Sequence, residues 1–89
     1  MDNALYRRPR EKIRLDGVES LSTVELLQAI LGSGSQQMPA ARIARSVSIA
    51  VNDGHTAYND LIQLPGVGDA RACQIVAVLE LARRLGVHE

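Results

Sequence analysis

Between positions 65 and 71 the chain reads Pro65, Gly66, Val67, Gly68, Asp69, Ala70, Arg71, and helix-forming sequence follows directly. Residues of these types in this order can do one piece of chemistry, the binding of an anion. Pro65 disfavours the α conformation at Leu64 and so ends a preceding helix. Gly66 and Gly68 tolerate positive φ and leave their amides uncovered by side chains, while Val67 can turn inward to anchor the turn. A helix that begins at once points the N–H groups of Gly68, Asp69 and Ala70 outward with its positive dipole end. Arg71 adds a cation, and Asp69 suits a helix start but puts negative charge beside the anion. A tight turn between two packed helices needs the same glycines and is the competing reading.

A second set of candidates lies near the N-terminus. Residues 1–14 hold Arg7, Arg8, Arg10, Lys12 and Arg14 against Asp2 and Glu11, a local charge of +3 in a chain whose net charge is +0. The remaining residues therefore carry −3, so attraction to phosphate starts at this segment. A solvated helix face is the alternative for such a run. No acid, base and nucleophile stand as partners among Ser33, Ser35, His55 and His88, and a chain of 89 residues leaves little room for a substrate pocket. No enzyme activity, cofactor or metal is expected. "LGSGSQQ" has neither the preceding strand nor the third glycine of a dinucleotide loop. Cys73 is the only cysteine, which excludes an internal disulfide, favours a reducing compartment and reads as a buried small hydrophobe. With no signal core at the N-terminus and no run of membrane-spanning length, a cytoplasmic protein without membrane contact is expected.

The elements that must position these groups read as helices. Hydrophobic residues make up 46 % of the chain, yet the only aromatics are Tyr6 and Tyr58, so Leu, Ile, Val and Ala must build the core of closely packed small helices. "RRPREKIRLDG" predicts a charged first helix with Pro9 in its first turn and Gly17 as its stop. "LSTVELLQAILGSG" carries a capping box in Ser22 and Glu25 and a hydrophobic staple in Leu21 and Leu26. That helix turns Leu27, Ile30 and Leu31 inward and ends at Gly32 or Gly34. "MPAARIARSVSIAVNDG" places Pro39 in a first turn, Ile43, Val47 and Ala50 on one face, and Arg42 and Arg45 outward. "TAYNDLIQL" predicts a fourth helix capped by Thr56, with Leu61 and Leu64 three apart. The last helix runs from Asp69 to Leu85, with Ala72, Ile75, Val76, Leu79 and Ala82 at helical spacing, and Ala72 is small enough for a close crossing. Arg83 and Arg84 suit its negative end. No period-two pattern predicts a strand.

The expected fold is thus all-α, one domain over residues 1–89 with about five helices. It divides into a basic segment 6–16, a degenerate hairpin 22–53 and a sharper hairpin 56–85. A weak internal repeat lays Gly32, Ser33 and Gly34 on Gly66, Val67 and Gly68, Leu27 on Leu61 and Ile30 on Leu64, with "SQQM" as extra residues in the first copy.

"LIQLPGVGDARACQIVAVLE" resembles a helix-hairpin-helix motif, in which Gly-apolar-Gly is followed by Ala and apolar residues at helical spacing. The resemblance implies that residues 65–71 hold a DNA backbone phosphate through the hairpin amides without reading sequence, with Arg71 as the assisting cation. "RPREKIRLDGVESLSTVELLQAILGSGS", "ARIARSV" and "LPGVGDARACQIVAVLELARRL" together are similar in order and spacing to the N-terminal helical domain of the RadC family, which is associated with DNA repair. In that family the domain usually precedes a JAB/MPN-type domain with a His-x-His and Asp zinc site, a spacing that His55 and His88 do not have. The resemblance therefore implies an excised domain or a stand-alone relative. Two functions are expected from it. One is weak, salt-sensitive, sequence-independent DNA binding in which Arg7, Arg8, Arg10, Lys12 and Arg14 supply secondary contacts. The other is a helical interaction domain that docks to a JAB/MPN-type or other catalytic partner and carries an apolar patch on its last helix. On the first reading Arg71 serves DNA and not stability.

Overall fold

The computed structural model describes residues 7–86; Asp2, Tyr6 and His88 lie outside them. Five α-helices follow one another: α1 (Pro9–Asp16), α2 (Thr23–Leu31), α3 (Ala40–Asn52), α4 (Tyr58–Leu61) and α5 (Gly68–Gly86), with one 3-10 turn at Val18–Ser20. The fold is all-α, and no strand occurs among the described residues.

Local sequence accounts for most of the helix ends. Pro9 opens α1, where its missing N–H costs nothing, and Gly17 closes it in the left-handed region at φ 93°. Ser22 and Glu25 form the expected capping box: the Glu25 amide donates to Ser22 Oγ at 3.2 Å, and the Ser22 amide donates to Glu25 Oε1 at 2.9 Å. Lys12 reaches the same carboxylate from α1 at 2.9 Å, and these bonds, the backbone bond first, hold the Glu25 carboxyl below its ordinary range. Ser22→Ala is expected to cost about 1 kcal/mol, because two orphan donors at the head of α2 lose their reciprocal arrangement. Urea unfolding checks this, and an unchanged midpoint would mean that Lys12 and Glu25 fix the helix start alone.

The core is built where α3, α4 and α5 meet. Ile43, Val47 and Ala50 on one face of α3 join Leu61, Val67, Ala72 and Ile75, with Leu27 and Leu31 of α2 packed against its edge. Leu27, Ile30 and Leu31 are half-buried flanks and not the inner layer that their spacing predicts. Pro39 stands at the N-cap of α3, one position before the first turn. Arg42 and Arg45 point outward as expected.

Four further details differ from expectation. The fourth helix is a single turn, and Ala57, not Thr56, occupies its N-cap, with the Asp60 carboxylate accepting from the Ala57 amide at 3.3 Å. It stops at Leu61 because the chain tightens into three-residue turns, Leu64 N–H to Leu61 O and Val67 N–H to Leu64 O, each 3.1 Å. Cys73 is exposed: α5 buries only Ala72 and Ile75, and the residue between Ala72 and Gln74 faces away from them. Ala82 is exposed too, since the last two turns of α5 run past the core. Arg83 and Arg84 stand in the last turn of α5 as expected, and both also pair with Glu80, at 2.7 and 2.8 Å. Their guanidinium groups, Arg83 foremost, lower the Glu80 carboxyl to about 2.

Candidate nucleic-acid interface

The hairpin between α4 and α5 takes the shape that its residue types require. Gly66 and Gly68 both have positive φ, 83° and 67°. Gly66 also needs its lack of a side chain, for a Cβ there would stand 2.5 Å from Met38 Cγ and 3.1 Å from Ile43 Cγ1. Around Gly68 a Cβ would meet nothing within 4 Å, so that side of the hairpin opens to solvent. Val67 is buried and anchors the turn in the core, and Ala72 is buried at the helix crossing. Pro65, Gly66, Gly68, Asp69 and Ala70 are exposed, and Arg71 is half-buried. The amides of Gly68, Asp69 and Ala70 precede the first bond of the 19-residue helix α5 and find no acceptor elsewhere among the described residues. Three N–H groups and the positive end of a long helix dipole therefore share one exposed surface.

Arg71 does more than flank this surface. Its guanidinium donates to Gly66 O at 3.0 Å and to Ser33 O at 2.6 Å, so one side chain ties both glycine turns together. Planar fork geometry suits two carbonyls from separate loops, and further N–H donors of the guanidinium remain. Next to it, Gln74 Nε2 donates to Ile30 O at 2.7 Å, and from the other side Arg10 Nε donates to Ala29 O at 2.8 Å. The C-terminal carbonyls of α2 are thus closed by side chains from α1 and α5.

This accounts for part of the basic segment. Arg7 pairs with Asp16 at 2.7 Å, Lys12 pairs with Glu25, and Arg10 caps α2. Arg8 and Arg14 have no side-chain partner among the described residues. With Arg10 they line an open groove of about 670 Å³ whose other wall is made by residues 32–35 and the start of α3. Ser33 belongs to that wall and accepts from Arg71, so the groove lies next to the hairpin. The structure brings Arg8 and Arg14 to this neighbourhood and commits Arg7 and Lys12 to ion pairs.

Asp69 is held chiefly by a residue that local sequence does not point to. The Tyr58 hydroxyl donates to Asp69 Oδ1 at 2.6 Å, and Cys73 Sγ stands 3.8 Å from the same oxygen. The Asp69 carboxylate raises the Tyr58 phenol above its ordinary value, chiefly through this hydrogen bond. In a Tyr6→Phe background the alkaline absorbance titration should report Tyr58 alone, and Asp69→Asn should move its midpoint down. A midpoint that Asp69→Asn leaves in place would rule out the bond in solution. The i, i+4 spacing of Asp69 and Cys73 was visible on one helix face, but Tyr58 reaches them only through the hairpin.

Five α-helices joined by tight glycine turns, with the amides at the head of α5 exposed, define a small all-helical domain. The chain belongs to the UPF0758 family: residues 2–73 match the UPF0758 N-terminal family. A UPF0758 protein of Rubrobacter xylanophilus is 39 % identical over 84 residues, covering 90 % of this chain and 37 % of the relative. One from Alkaliphilus oremlandii is 40 % identical over 88 residues, covering 93 % of this chain and 38 % of the relative. One from Flavobacterium johnsoniae is 37 % identical over 81 residues, covering 86 % and 35 %. The chain thus spans little more than a third of the length of these relatives. No solved structure matches it. No helix among the described residues is long and apolar enough to cross a membrane.

Proposed function

We propose that this chain is a DNA-binding module that holds backbone phosphate without reading sequence, through a helix-hairpin-helix made by α4, residues 62–67 and α5. The observation that carries this reading is the set of unpaired amides at Gly68, Asp69 and Ala70, in open surroundings and at the head of a long helix. Arg71 lends charge from the adjoining brace, and Arg8 and Arg14 extend the positive surface along the groove. Its role is to place a DNA repair protein on its substrate, in keeping with the RadC resemblance, and it binds rather than catalyses. A cytoplasmic setting fits a DNA partner and a sequence whose single cysteine can form no internal disulfide.

One hairpin and two further arginines contact few phosphates, so affinity is micromolar or weaker and falls with salt. The test is an NMR titration of labelled protein with a short duplex and then a single strand, at low and at moderate salt. Shifts gathered at residues 66–71 that fade as salt rises are expected. No shifts at low salt would sink the reading.

A second function has its own support. Leu81 and Leu85 are 56 % and 69 % exposed on the end of α5, and an apolar hollow of about 170 Å³ lies between α2, α3 and α5, lined by Leu27, Val51, Val78 and Leu79 among others. Such a surface suits docking to a catalytic partner, which the RadC resemblance makes a JAB/MPN-type domain. A titration silent with DNA, joined by shifts at Leu81 and Leu85 on adding that domain, would favour this reading.

A further inference from the structure

A carboxylate within the first turn of α5 is the one feature that opposes an anion there. Asp69 could swing forward and accept from the same amides that a phosphate needs, because acidic side chains at a helix start are drawn to its unpaired N–H groups. In this structure it does not. Its Oδ1 accepts from Tyr58, on α4, at 2.6 Å, while Cys73, one turn further along α5, addresses the same oxygen at 3.8 Å. Cys73, at i+4, lies on the flank of α5 and not at its leading end, and Tyr58 reaches across from α4. No bond links the Asp69 carboxylate to the amides of Gly68, Asp69 or Ala70.

We propose that Tyr58 is a positioning residue for the hairpin: its hydroxyl holds the Asp69 carboxylate against α4, so that the amides of residues 68–70 stay open to a backbone phosphate. The inference rests on the phosphate-binding reading of the hairpin given above. Tyr58 is a suitable holder because it stands on the single turn of α4, which the wholly buried Leu61 anchors in the core. Releasing the latch turns Asp69 from a neighbour into a competitor for the site. Removing the carboxylate altogether makes Tyr58 irrelevant.

The experiment is a thermodynamic cycle on the whole chain, with Tyr58→Phe, Asp69→Ala and the double variant titrated with a short DNA duplex at low salt. The shifts of residues 66–71 report binding, and thermal melting reports folding. Tyr58→Phe should weaken binding about fivefold, the size of one charge interaction at a helix terminus. Asp69→Ala should tighten it by a similar factor, and the double variant should bind like Asp69→Ala. A Tyr58→Phe protein that binds like the parent overturns the inference. So does a double variant that keeps the full loss relative to Asp69→Ala, because Tyr58 would then act on DNA by itself. If neither the parent nor Asp69→Ala shifts residues 66–71, the phosphate reading fails and the latch goes with it. Binding by Asp69→Ala alone, with Tyr58→Phe as silent as the parent, would leave the phosphate site standing and overturn the latch.

Discussion

Gly34→Ala is expected to be the most damaging small substitution in the chain, costing about 3 kcal/mol or more, at the upper end for overpacking. Gly34 is not in the left-handed region, so its backbone would accept a side chain. What forbids one is space. A Cβ there would run into the Met38 carbonyl oxygen and stand 2.5 Å from the Ala40 nitrogen and 2.7 Å from the Pro39 carbonyl carbon. All three are backbone atoms of a turn pinned by Ser35 N–H to Met38 O at 2.9 Å and Met38 N–H to Ser35 Oγ at 3.1 Å. Relief therefore means moving the start of α3, and with it Met38 and Ile43, which lie under Gly66. The hairpin would be disturbed from below. Gly68→Ala is the control, with φ 67° but open space, and should cost about 1 kcal/mol as a left-handed penalty alone. Urea unfolding of the two variants separates them. Equal losses would mean that the first turn is loose in solution and that the fit around Gly34 carries no energy.

The same pair of glycines measures what the sequence discloses. Laid on Gly66 and Gly68, Gly32 and Gly34 agree with them in φ only at the first members, 81° and 83°, and not at the second. Gly34 is there for room and Gly68 for conformation, and a letter cannot distinguish them. Features set by neighbours in the chain were legible: the Ser22 and Glu25 box, Gly17 after α1, Val67 turned inward, Ala72 at a crossing, and the apolar face of α3. Features set by distant partners were not. Nothing near Gln74 or Arg10 announces that they close carbonyls of α2, 44 and 19 residues away in sequence. Cys73 looked internal because the residues around it are apolar, yet the helix turns it outward between Ala72 and Ile75. The candidate site shares this division. Its amides follow from Pro65, Gly66 and Gly68, whereas the placing of Arg71 and Asp69 depends on Ser33 and Tyr58.

Arg71 is where the two kinds of information meet, and its substitution should show both. Loss of the guanidinium removes the bonds to Gly66 O and Ser33 O, the second of which joins residues 38 apart in sequence. Both carbonyls can turn to water, so Arg71→Ala should cost about 1 to 2 kcal/mol, toward the low end for bonds to a charged donor. In a domain of this size that lowers the melting temperature by roughly 4 to 12 °C. The expectation from sequence, an effect on DNA without one on stability, thus gives way to an effect on both. Arg71→Lys separates the parts: an ammonium group keeps the charge but lacks the planar fork that spans two carbonyls. The lysine variant should melt nearly as low as the alanine variant yet keep most of the salt-dependent affinity for a duplex, whereas Arg71→Ala should lose roughly fivefold in binding, one charge interaction's worth. If Lys and Ala bind equally weakly, the brace and not the charge sets the hairpin's competence, and Arg71 acts by holding Gly66 in place. If both bind like the parent while melting low, Arg71 is a strut between the two turns, and phosphate is left to the amides alone.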